Sequence, residues 1–257
     1  MEYFVIAITA FLAAILTFFS GFGLGTILTP VFMIFFPVEA AIALTGIVHF
    51  SNNIFKIALV GRGADKSTVL RFGIPAVIAA FAGAWILLNI PDANPLFTYE
   101  MAGRSWEVYP VKFLISILLI CFALMDLIPF FARLQFGKDK LPLGGILSGF
   151  FGGLSGNQGA LRAAFLIKAG LSKEAYIGTA VVVSTMVDFT RLGVYSTRFI
   201  ESGLTENIPI VICGTLAAIA GAFLGNKLLK KITLHSLQVI VAIMLILLSV
   251  ALGMGLI

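Results

Sequence analysis

The chain has 257 residues, of which 60% are hydrophobic and 11% charged, with a mean hydropathy of +1.09. A soluble domain is about half apolar and about one quarter charged, so water is excluded as the main solvent. The net charge is +5, but the 17 basic residues are scattered through short loops without an aromatic-interleaved patch, which argues against a nucleic-acid partner.

A helix needs about 20 largely apolar residues to cross about 30 Å of hydrocarbon. Residues 3–36 are apolar but interrupted by Gly21-Phe22-Gly23-Leu24-Gly25. They lack a basic n-region and an A-x-A-like cleavage site, so a removable signal peptide is not expected. Full spans are predicted at 39–61, 67–90 and 108–131, followed by a cytoplasmic linker at 132–140. A second interrupted stretch, 141–168, carries Gly152-Gly153-Leu154-Ser155-Gly156-Asn157-Gln158-Gly159, and further spans are predicted at 174–198, 206–226 and 234–256. Glycine weakens helices and admits backbone conformations that other residues avoid, so both interrupted stretches read as re-entrant helical hairpins.

The basic residues orient these segments, because short cytoplasmic loops are enriched in Lys and Arg. If each hairpin enters and leaves on one side, 11 of the 17 fall in cytoplasmic loops, among them Arg62, Lys66, Lys138, Lys140 and Lys230. Only Arg104, Lys112 and Arg198 lie outside, while Lys56, Arg162 and Arg191 stay within apolar segments. Both termini are then external. A single crossing by 141–168 would invert every later loop and place Lys227, Lys230 and Lys231 outside.

A slide of 135 positions superposes Gly21 on Gly156, Glu39 on Glu174, Asn53 on Asp188 and Lys56 on Arg191. Each half then holds one hairpin and three spans, an odd number of crossings, so the second half is inverted relative to the first. The expected fold is an all-α polytopic membrane protein of two inverted repeats, 1–131 and 141–257, a plan common in secondary transporters.

At these residues the chain resembles the sulfite exporter TauE/SafE family, also called the toluene sulfonate uptake permease family. The resemblance rests on Gly21 to Pro30, on Glu39-Ala40-Ala41 and Thr45, and on their second-half counterparts Gly156 to Ala160, Leu171 to Ala175 and Thr179. The second glycine cluster departs from the family pattern at Asn157 and Gln158, and Phe165 stands where a proline is expected. The resemblance implies transport of a small sulfur-containing anion such as sulfite or an organosulfonate.

An oxyanion at mid-membrane needs hydrogen-bond donors and positive potential, because an unpaired charge there costs several kcal/mol. Helices restarting after Gly25 and Gly159 would present free N–H groups and their positive dipole ends. Gly21, Gly23, Gly25, Gly156 and Gly159 let an anion approach the backbone, and Thr26, Ser155, Asn157 and Gln158 add side-chain donors. The bland alternative is that the glycines only allow helices to pack closely. Among the cations, Arg162 is the best candidate for a direct ligand, while Lys56 and Arg191, further candidates for the site, either form ion pairs or snorkel to the interface.

Asp188 stands one turn before Arg191, which reads either as a structural ion pair or as a proton-coupling carboxylate. His49 shares a helical face with Asn52 and Asn53 and is a second coupling candidate, against the reading of a buried histidine that finds a partner. Cys121 and Cys213 have no CxxC spacing and read as buried small hydrophobes, so neither a metal site nor a cofactor is expected.

The implied partners are a small anionic substrate and the lipid bilayer of a bacterial-type inner membrane, with a homo-oligomer left open. Two other functions fit parts of the pattern. An anion channel also uses re-entrant hairpins. Gly153-Leu154-Ser155-Gly156 matches the GxSG form of intramembrane serine proteases, but nucleophilic catalysis needs a base in reach, and the two histidines lie in other segments.

Overall fold

The computed structural model describes residues 1–20, 23–91, 94–128, 136–199, 207–228 and 234–256. Gly21, Arg133, Lys230 and Lys231, and the side chains of Glu39, Asp126 and His235, lie outside the described set. Among the described residues, ten principal helices follow in chain order. They are α1 (Glu2–Ser20), α2 (Leu24–Met33), α3 (Val38–Val60), α4 (Lys66–Asn89), α5 (Pro110–Leu127), α6 (Leu141–Ser155), α7 (Gly159–Leu166), α8 (Lys173–Phe199), α9 (Ile208–Leu228) and α10 (Leu234–Gly253).

The chain is therefore an all-α polytopic membrane protein. α3, α4, α8 and α9 are each long and apolar enough to cross a bilayer. Their outer faces carry large exposed apolar side chains such as Trp85, Phe189 and Leu216, as expected when the surrounding solvent is lipid. The cysteines correct the expectation that both are buried: Cys121 is exposed on α5 and Cys213 is half-buried on α9, where a thiol facing hydrocarbon needs no burial.

Each stretch expected to be interrupted is a helix, a break and a shorter helix. At the second break Gly156 adopts φ +78° and its N–H donates to Gly152 O at 3.0 Å, a left-handed helix end that favours glycine. A different interruption lies in α4. Pro75 lacks an N–H and would clash with the preceding turn of an α-helix, and a π-turn over Val69–Gly73 widens the helix just before it.

Other glycines serve close packing. Gly145, Gly149 and Gly153 recur every four residues on α6, and a Cβ at each would overlap the carbonyl oxygen of Phe72, Ala76 and Ala80 on α4. Gly221 brings α9 equally close to the Phe11 carbonyl of α1, and a Cβ at Gly225 would lie 3.1 Å from the Ile15 carbonyl oxygen. Both pairs run parallel. By contrast α3 and α8 run antiparallel, with Gly46 against Leu192, Asn53 against Asp188 and Gly63 against Glu174. α5 and α10 are antiparallel too, with Gly253 against Ser116.

A β-hairpin that the apolar pattern does not announce connects α4 to α5. Strand β1 (Phe97–Met101) pairs with β2 (Arg104–Val108) through an Ala102-Gly103 turn. Tyr99 ties it to the end of α10 by donating its hydroxyl to Met254 O at 2.7 Å. The hairpin and the C-terminal residues thus share one end of the molecule. At the other end Asp65 N donates to Thr179 Oγ1 at 2.9 Å, and Gly170 sits against Lys138.

Candidate functional site

The two helix breaks meet at the centre of the molecule. A Cβ at Gly25 would lie 3.4 Å from Gly156 O and 3.7 Å from Thr45 Cγ2, and one at Gly23 would lie 3.2 Å from His49 Nε2. Only small residues at the breaks allow α2, α6 and α3 to approach this closely. The glycines thus divide into two groups: Gly145, Gly149 and Gly153 seal helix against helix, whereas Gly23, Gly25 and Gly156 lie where the chain is broken.

α3 and α8 deliver the charges. Both are polar along one face, and the faces meet at Asp188, which is fully buried. Its Oδ2 lies 2.6 Å from His49 Nδ1 and accepts from Asn53 Nδ2 at 3.1 Å. Its Oδ1 accepts from Arg191 Nε at 3.0 Å, with Nη2 at 2.9 Å. Three donors converge on one carboxyl, the arrangement of an ionised acceptor, so the imidazole donates from Nδ1 and turns Nε2 toward Gly23. Arg191 does not snorkel: it is wholly buried, and its tip rests on Gly46 and Gly156.

Lys56 does not snorkel either. It is 4% exposed, and its Nζ lies 5.2 Å from the centroid of Phe18. It lines a cleft of about 350 Å³ together with Arg162, His49, Asn53, Tyr176 and Ser184, and with the backbone of Gly23. Among the described residues, two basic side chains line the cleft and no carboxylate does. Arg162 is 3% exposed and reaches it from the first turn of α7, whose leading N–H groups have no partners within the helix.

The remaining sequence candidates lie beside the cleft. Ser155 Oγ donates to Phe151 O at 3.0 Å and accepts from Asn157 N at 3.3 Å, so its hydroxyl is held within its own helix end. Gln158 Nε2 donates to Ser184 Oγ at 3.4 Å. Thr26 N bonds Gly23 O at 3.1 Å and completes the first turn of α2. Asn157 is buried at the second break, and both of its amide atoms lack a hydrogen-bond partner among the described residues.

The family model for the sulfite exporter TauE/SafE matches residues 6–252. The chain belongs to the sulfite exporter TauE/SafE family. The residues matched in this TauE/SafE protein take in both breaks, the cleft and the α3–α8 contact. It is a membrane transport protein. None of the curated proteins compared with it matches the chain.

Sequence reasoning named Lys56, Arg162, His49 and Gly23 on this TauE/SafE cleft but missed Tyr176, Ser184 and the role of Asn53 as a partner of Asp188. A signal for Ser184 was present. Ile177, Ala180, Val181, Ser184, Asp188 and Arg191 recur at three- and four-residue steps, the face that α8 turns toward α3 and the cleft.

Proposed function

We propose that this protein is a secondary carrier that moves a small sulfur-containing oxyanion, such as sulfite or an organosulfonate, across a bacterial-type inner membrane. The observation that carries the reading is the cleft at the helix breaks, lined by Lys56 and Arg162 and, among the described residues, by no carboxylate. In a medium poor in water such a site favours an anion, and helix starts add donors to its oxygens.

The transport cycle is alternating access between two inverted repeats, 1–131 and 141–257. Several contacts support it. Exchanging the repeats turns the α4–α6 contact into the α9–α1 contact and turns α3–α8 and α5–α10 into themselves. The self-paired helices are antiparallel, as an axis in the membrane plane requires, and Asn53 touches Asp188, its own counterpart at a shift of 135. Coupling to an ion gradient runs through His49 and Asp188, since His49 both lines the cleft and contacts the carboxylate.

The test is uptake into proteoliposomes of sulfite, sulfate, thiosulfate and small sulfonates, with and without a proton gradient. Saturable, gradient-dependent uptake of a sulfur oxyanion is expected, falling at least about tenfold in Lys56→Gln and in Arg162→Gln through loss of charge-assisted hydrogen bonds. Uptake unchanged in both variants overturns the reading. Large unitary currents would make the protein a channel.

A further inference from the structure

The repeat shift of 135 assigns every part of the cleft a counterpart. Lys56 corresponds to Arg191, Val181 to Gly46, and Ala180 to Thr45. The Lys56 side is a cleft, whereas the Arg191 side is packed shut. A Cβ at Gly46 would lie 3.4 Å from Arg191 Cζ, and one at Gly156 would lie 2.6 Å from Nη1. Where the cleft has valine, the counterpart has glycine, and the guanidinium occupies the space that a side chain would take.

This packed region is poorly satisfied. Arg191 is wholly buried, yet Nη1 has no hydrogen-bond acceptor among the described residues. Nor do Thr45 Oγ1, buried one residue before Gly46, or the amide of Asn157, next to Gly156, find partners there. Unpaired buried donors are rare in native interiors because each loses its water without replacement. A guanidinium N–H, a hydroxyl and an amide form a donor set suited to an oxyanion.

We infer that Arg191, Thr45 and Asn157 form a second oxyanion half-site, the repeat-related counterpart of the Lys56 cleft, closed in this structure and opened toward the opposite membrane face when that cleft closes. The inference rests on the carrier reading and deepens it. The fork of Arg191 divides its work: Nε and Nη2 hold Asp188, and Nη1 receives the anion. Lysine presents a single point charge and cannot divide its donors in this way.

The test uses full-length protein in proteoliposomes, with Cys121 and Cys213 replaced by alanine and one cysteine placed at Ala180 or Thr45. An impermeant thiol reagent is added to either face, with sulfite as the probe ligand, and each rate is taken relative to that of a free thiol in solution at the same sulfite concentration, since sulfite itself consumes such reagents. Ala180→Cys is expected to react from one face and Thr45→Cys from the other, each slowed at least about fivefold by saturating sulfite, as mass action on an occupied site requires. Sulfite protection at Ala180→Cys with none at Thr45→Cys rejects the second half-site and leaves the carrier reading intact. Loss of protection at Ala180→Cys, together with full uptake by Lys56→Gln, rejects the carrier reading itself. Reaction of both cysteines from one face also rejects the half-site. Independently, Arg191→Lys keeps a cation for Asp188, so sulfite affinity at the cleft should stay within about threefold while flux falls at least about tenfold. Wild-type flux in that variant overturns the inference.

Discussion

Arg191→Gln should be among the most destabilising single changes in the molecule. Asp188 and Arg191 are both fully buried and their closest approach is 2.9 Å. At an effective dielectric of about 20, a pair at that distance attracts by about 6 kcal/mol before desolvation is subtracted. Removing one partner of such a pair typically costs about 3–5 kcal/mol, because the other charge is left buried and uncompensated. His49 and Asn53 still donate to Asp188 Oδ2, which places the expected loss near the lower end, about 3 kcal/mol. The double change Asp188→Asn with Arg191→Gln removes both charges and should recover at least about 2 kcal/mol of that loss. Unfolding of purified variants in mild detergent, followed by helical circular dichroism, reads both quantities. A double variant less stable than Arg191→Gln alone would refute the ion-pair argument.

Glycine function can be separated by position. Gly149→Val should abolish folded protein, since the added Cβ would meet the Ala76 backbone, whereas Gly25→Val, with Gly156 O at 3.4 Å, should leave folded protein whose transport falls more steeply than its stability. Parallel losses of melting temperature and transport in Gly25→Val would show a packing role only. Single cysteines at Lys138 and Ser105 should react with an impermeant reagent from opposite membrane faces, and reaction of both from outside intact cells would overturn the orientation. Asp65 caps α4 by accepting from Thr68 N at 2.7 Å, and hydrogen bonds from Thr68 hold its carboxyl below the usual carboxylate range. Its contribution is therefore full above the unfolded carboxylate value of about 3.9 and fades as pH falls through the lower folded value. Asp65→Ala should cost about 1 kcal/mol at neutral pH and Asp65→Asn much less, by thermal unfolding.

The sequence by itself determined the solvent and the order of the apolar helices. Apolar runs of about 20 residues have few alternatives to spanning helices, because an unsatisfied backbone in hydrocarbon is too costly. The glycine clusters announced both breaks, because glycine at Gly156 is what a left-handed helix end favours. The β-hairpin at Phe97–Val108 was missed although Phe97-Thr98-Tyr99-Glu100-Met101 alternates apolar with polar residues, because two strands of five residues each leave no mark in a search for apolar runs of about 20. Nor was the use of each glycine: Gly153 packs against α4 while Gly156, three residues on, rests against Arg191. That difference depends on which helix lies opposite. Most of all, only the tertiary structure brought His49 and Asn53 to Asp188 and Lys56 to Arg162. These partners lie more than 100 residues apart in sequence. The i,i+3 spacing of Asp188 and Arg191 is fixed by the helix itself, but which helix face meets another is decided by packing between halves, where glycine, not charge, sets the closest approach.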